Sequence, residues 1–99
     1  MYKLTIINSD SSEHIHLFYS KTDALKYTCK HVIEWLVNYY DIHYDANEYP
    51  FTTAFFNEDD NMVSCMNRAF AHINQLYELG ELDGIIYPVE YEITEINFK

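Results

Sequence analysis

A chain of 99 residues holds one domain and buries only roughly 60–65% of the surface its unfolded form exposes, so there is no room for a second core. Hydrophobic residues at 48% and aromatics at 17% exclude a disordered acidic tail. A formal net charge of −10 disfavours direct contact with nucleic-acid phosphates or anionic lipid headgroups, and it speeds encounter with basic protein surfaces.

In chain order, residues 2–8 (YKLTIIN) and 13–19 (EHIHLFY) are β-rich runs separated by Ser9, Asp10, Ser11 and Ser12, residues that favour tight turns, so a hairpin is expected. In the second run Ile15, Leu17 and Tyr19 alternate with His14, His16 and Phe18, and the first, more apolar set is assigned to the core. Ser20 then stands three positions before Asp23, a helix-capping pattern. The first helix is expected over about residues 21–40, with Leu25, Cys29, Val32, Leu36 and Tyr39 as its stripe and Tyr27, His31 and Trp35 beside it.

Residues 41–50 are irregular, with Asp, Asn and Pro as breakers, and 51–56 (FTTAFF) reads as a short strand or a loop. Asn57 to Asn61 opens a second helix over about 60–79, ended by Gly80, with Met62, Met66, Ala69, Ile73 and Leu76 as its stripe. After a turn through Asp83 and Gly84, residues 84–98 (GIIYPVEYEITEINF) read as a final strand, interrupted or bulged at Pro88, which has no amide hydrogen for a ladder. Val89, Tyr91 and Ile93 share one of its faces, and Glu90 and Glu92 the other. That alternation fails at Glu95, which requires a bulge near Thr94 or an end that leaves the sheet. The fold class expected is a single α+β domain of order β-β-α-(β)-α-β, a mostly antiparallel sheet with two packed helices.

Several chemistries lack the residues they need. His14 and His16 on one strand face, with His31 or Cys29, make a weak set of metal ligands, and surface histidines are the simpler reading. A thiol nucleophile needs a histidine beside it, but His31, two positions after Cys29 on a helix, points away. Cys29 and Cys65 read as reduced thiols. The Glu58, Asp59 and Asp60 cluster lacks the glycine and spaced oxygen ligands of a calcium loop. Neither glycine opens a helix to cradle phosphate. The N-terminus has no leader pattern and no stretch reaches the roughly 20 apolar residues of a membrane span, so a cytoplasmic protein without cofactor or catalytic residues is expected.

The charge is regional. Residues 1–40 balance four acids against four lysines, whereas residues 41–99 set twelve acids against Arg68 and Lys99. Twelve carboxylates match the charge of about six base pairs of duplex, at one charge per ~1.7 Å. Glu90 and Glu92, two apart on a strand, stand about 6.8 Å apart, near the spacing of neighbouring phosphates. Ten tyrosines add interface-type side chains, and Tyr39, Tyr40, Tyr44 and Tyr49 crowd the acid-bearing stretch. The partner-binding set expected is Asp41, Tyr44, Asp45, Glu48, Tyr49, Glu58, Asp59, Asp60, Glu78, Glu81, Asp83, Glu90 and Glu92.

The run Phe18, Ser20, Lys21, Asp23, Ala24, Lys26 and Tyr27, following a hairpin, resembles the front end of small phage-encoded acidic inhibitor proteins, anti-CRISPR proteins among them. The resemblance spans the N-terminal quarter, and its positions are structural, so it transfers no functional residue. It implies a viral protein of the host cytoplasm that occludes the nucleic-acid site of a host defence nuclease. Two functions follow as expectations. One is a non-enzymatic inhibitor that binds a basic surface of a nucleic-acid-handling protein by mimicry. The other is a small structural or assembly subunit that binds itself, as a homodimer, or a partner through Tyr and Phe and is acidic only for solubility.

Overall fold

The structure, a computed structural model, describes residues 1–43 and 62–97. Its elements are β1 (Tyr2–Asn8), β2 (Glu13–Phe18), α1 (Lys21–His43), α2 (Met62–Glu78) and β3 (Pro88–Glu95). The described residues form an α+β domain with a three-stranded antiparallel sheet of order β2-β1-β3. Run 51–56, read as a strand or a loop, lies outside the described residues.

The β1–β2 connection is held by its own polar side chains. Asp10 Oδ1 accepts from the Ser12 amide at 2.9 Å and from the Ser12 hydroxyl at 2.5 Å, and Ser11 takes φ of 69°. Asn8, buried, donates its side-chain amide to Ser12 Oγ at 3.1 Å. This turn places Ile7 opposite Glu13, Ile6 opposite His14 and Leu4 opposite His16, and a turn that sets the register also sets which residues share a face.

Ser20 caps α1, its hydroxyl accepting from the Asp23 amide at 3.1 Å. The helix runs three residues past the expected end, to His43. Its buried side is Ala24, Thr28, Val32, Ile33, Leu36, Tyr39 and Tyr40. The expected stripe members Leu25 and Cys29 are half-buried, one position round from Ala24 and Thr28. Buried Thr28 satisfies its hydroxyl on the Ala24 carbonyl at 2.9 Å. Helix α2 buries Cys65, Met66, Ala69, Ile73 and Leu76. Past its end, Gly80 at φ of 74° donates to the Tyr77 carbonyl, and Glu81 donates to Leu76. That paired closure needs a left-handed residue, which glycine adopts without a steric penalty.

The core has two parts. The helices meet over Val32, Leu36, Tyr39, Cys65, Ala69, Ile73 and Leu76, with Leu82 closing the end. The second part sets Leu4 and Ile6 of β1 against Ala24, flanked by Phe18, Tyr27, Tyr91 and Ile93. Phe70 of α2 stacks on Tyr91 with ring centroids 5.9 Å apart. Both helices therefore lie on the sheet face that carries Leu4, Ile6, Tyr91 and Ile93.

The final strand starts only at Pro88, so residues 84–87, expected as strand ahead of the proline, lie outside it; the expected irregularity is present as a register shift where Asn8 pairs with Pro88. Its last strand residue is Glu95, and Ile96 continues the same register beyond it, donating to the Met1 carbonyl at 2.7 Å and accepting from the Met1 ammonium at 3.5 Å. Neither a bulge at Thr94 nor a departure from the sheet occurs: the register runs unshifted from Glu90 through Glu95, so Glu95 shares the face of Tyr91 and Ile93 and stays exposed there.

Candidate partner-binding face

The antiparallel registers fix the face turned away from the helices as three cross-strand rows. They are Glu13, Ile7 and Glu90; Ile15, Thr5 and Glu92; and Leu17, Lys3 and Thr94. Strands lie about 4.8 Å apart, so Glu13 and Glu90 flank Ile7 at roughly 9.6 Å. Glu92 follows Glu90 along β3 at about 6.8 Å. All three carboxylates are exposed, and none has an ion-pair partner among the described residues, where Lys30 pairs with Glu34 at 3.8 Å. Lys3 stands in the far row, so one end of the face is acidic. Three like charges about a Debye length apart at 0.1 M salt (~10 Å) add their fields.

The β2 column of this face corrects the sequence expectation. Ile15 is 52% and Leu17 56% exposed, and Tyr19 is 88% exposed; the residues that meet the helices are His14, His16 and Phe18. Their parity follows from the fully buried Leu4 and Ile6, which lie opposite His16 and His14. The histidines fit there as aromatic, half-polar groups. His16 Nε2 lies 3.0 Å from the Tyr27 hydroxyl, and the rings of His14 and His31 are 5.5 Å apart. Tyr27 stacks near His31 at 6.1 Å. Burial, above all, holds His31 below the ordinary histidine range, and the His14 charge pushes the same way. Among the described residues no three His, Cys, Asp or Glu side chains converge as metal ligands.

The expected partner-binding residues separate. Glu90 and Glu92 share the open sheet face. Glu78 ends α2, Glu81 and Asp83 lie in the turn beyond it, and Asp41 sits in the last turn of α1, all exposed. Tyr44, Asp45, Glu48, Tyr49, Glu58, Asp59 and Asp60 lie outside the described residues. Tyr39 and Tyr40, taken from sequence as interface side chains, are each 6% exposed. Tyr39 stacks on Trp35 at 5.4 Å and donates to the Glu81 carbonyl at 3.2 Å, and the Tyr40 hydroxyl meets His72 Nε2 at 2.5 Å. They hold the helix pair to the α2–β3 turn and present no surface.

Sequence reasoning missed Glu13, Ile7, Ile15 and Leu17. Glu13 belongs to the charge-balanced N-terminal part, and only the pairing of both outer strands with β1 brings it beside Glu90. Cys29 and Cys65 are free thiols, and burial raises the pKa of Cys29. No helix among the described residues is long and apolar enough to cross a membrane. Comparison with family models, curated proteins and solved structures finds no match to the chain.

Proposed function

We propose that this chain is a non-enzymatic protein inhibitor, of viral origin, that sets the carboxylates of its open sheet face into a basic, nucleic-acid-binding surface of a host defence nuclease or another nucleic-acid-handling protein. The observation that carries this reading is the acidic end formed by Glu13, Glu90 and Glu92, exposed and unneutralised by any described cation. A rigid array of carboxylates on paired strands loses little entropy on binding, and its spacing along β3 approximates that of phosphates. Asp10, in the adjoining turn, adds a further exposed carboxylate whose pKa is lowered by the Ser12 hydroxyl and amide.

The test is capture from a host lysate on the immobilised chain, followed by elution with duplex DNA. Displacement by DNA at low salt is the expected result. A captured protein that DNA does not displace overturns mimicry.

A second reading, a small assembly subunit that binds through apolar side chains, is favoured by the exposure of Ile15 and Leu17 at the margin of the same face.

A further inference from the structure

The two margins of the sheet are built differently. β3 begins at Pro88, carries a register shift against β1, and bears Glu90, Glu92 and Glu95. Proline, irregularity and charge are the devices that keep an edge strand from pairing with another chain. β2 has none of them beyond its first residue. It is six residues in unbroken register with β1, without Pro, Lys or Arg, and with Glu13 as its one acid. Ile15 and Leu17, both more than half exposed, stand on its outer column. Such an edge is a template for a further strand.

Charge selects the occupant. The lysines of residues 1–40 equal its acids in number, so the part of the chain containing β2 is neutral, and the −10 belongs to residues 41–99. Two copies that meet at β2 join their neutral parts and keep their acidic β3 margins as far apart as the sheet allows. Pairing through β3 would instead set glutamates against glutamates, which is unfavourable across strands.

We propose that β2 pairs antiparallel with β2 of a second copy of this chain, extending the sheet to six strands. Residues opposite one another in an antiparallel pair share a face, so with both helix layers on one side the symmetric register that sets His16 against His16 of the partner subunit places Ile15 against Leu17 of the partner subunit. The reciprocal contact gives a four-residue apolar cluster across the twofold axis. A shift of two residues in one direction sets Glu13 against Leu17 of the partner subunit, which wets the contact; in the other direction it sets Ile15 against Tyr19 of the partner subunit, which lies past the end of β2. The joined sheet carries an acidic column at each margin, five strand spacings or about 24 Å apart. This inference is independent of the inhibitor reading.

Sedimentation velocity of the full chain over a concentration series tests it. The expected result is reversible, concentration-dependent formation of a species of twice the chain's mass. Leu17→Lys, on an exposed position, is expected to sediment at the chain's own mass, while Ile86→Lys, at a 56% exposed position outside the sheet, dimerises as the native chain does. Ile15→Lys repeats the first test should Leu17→Lys lose its circular dichroism spectrum. Hydrogen exchange on the native chain gives a second readout, in which β2 amides gain protection with concentration and β3 amides do not. A native chain that stays monomeric at every soluble concentration, a Leu17→Lys chain that dimerises normally, or protection that grows at β3 overturns the proposal.

Discussion

Replacing Leu4 and Leu17 separately by alanine tests which face of the sheet is core. Leu4 is 0% exposed on the central strand, whereas Leu17 is 56% exposed on the other face. Truncating leucine to alanine removes about three carbons, worth roughly 2.4 kcal/mol at ~0.8 kcal/mol each when wholly buried. The cavity left behind raises such costs to about 2.7–5.0 kcal/mol in the best-studied series. At Leu4 the half-buried neighbours His16 and Ile93, opposite it on either side, can lean into the space, which places the cost near the lower end, about 3 kcal/mol. At Leu17 less than half of the side chain has any area to lose, and no cavity forms, so the cost is about 1 kcal/mol or less. Urea melts of both variants, run dilute so that association adds nothing, should show midpoint losses of about 2 M and under 1 M, taking a slope near ~1.5 kcal/mol/M. Equal losses, or a larger one for Leu17→Ala, would refute the assignment of His14, His16 and Phe18 to the helix side.

Two further perturbations act on other parts of the fold. Burial keeps the His31 and His72 imidazoles below the usual histidine pKa, with His14 adding to the effect at His31 and Glu81 opposing it at His72. The unfolded chain therefore takes up protons first, and stability present above pH ~6.5 falls as the pH drops from 7 towards 5; a melting temperature that rises over that interval at constant ionic strength would contradict this. Ser20→Ala removes the acceptor of the Asp23 amide and should cost about 1 kcal/mol, a fall of roughly 4–8 °C in Tm, whereas Ser20→Asp should keep most of it; equal losses in the two variants would mean that the cap contributes nothing.

The elements set by local chemistry were legible in the sequence. Ser9 to Ser12 announce the hairpin, Ser20 and Asp23 the start of α1, Gly80 the end of α2, and Pro88 the irregularity in β3. Period-2 alternation also put Glu90 and Glu92 on one face correctly. What alternation cannot supply is the direction of a face relative to the helices when both sets are mixed. In β2 the more apolar set, Ile15 and Leu17, points outward, because a register fixed by Asp10 and Ser12 aligns His14 and His16 with Leu4 and Ile6. A histidine paired with Tyr27 or stacked near His31 tolerates that position, and no local signal reveals the pairing. Glu13 was hidden for the same reason, since its nearness to Glu90 passes through Ile7 of β1 and is a property of the sheet. Tyr39 and Tyr40 looked like surface because they adjoin an acidic stretch in sequence, yet α1 runs on to His43 and turns both inward, Tyr39 onto Trp35 and the Glu81 carbonyl and Tyr40 onto His72.

The central claim is that Glu13, Glu90 and Glu92 form the contact, and the dependence of partner binding on salt tests it most directly. The captured partner's Kd should be measured against NaCl concentration for the native chain and for the triple variant Glu13→Gln, Glu90→Gln, Glu92→Gln. Native binding is expected to weaken steeply between low and moderate ionic strength, and the triple variant to bind more weakly with a shallower slope. Affinity indifferent to salt, or a triple variant that binds with the native slope and strength, would contradict the claim.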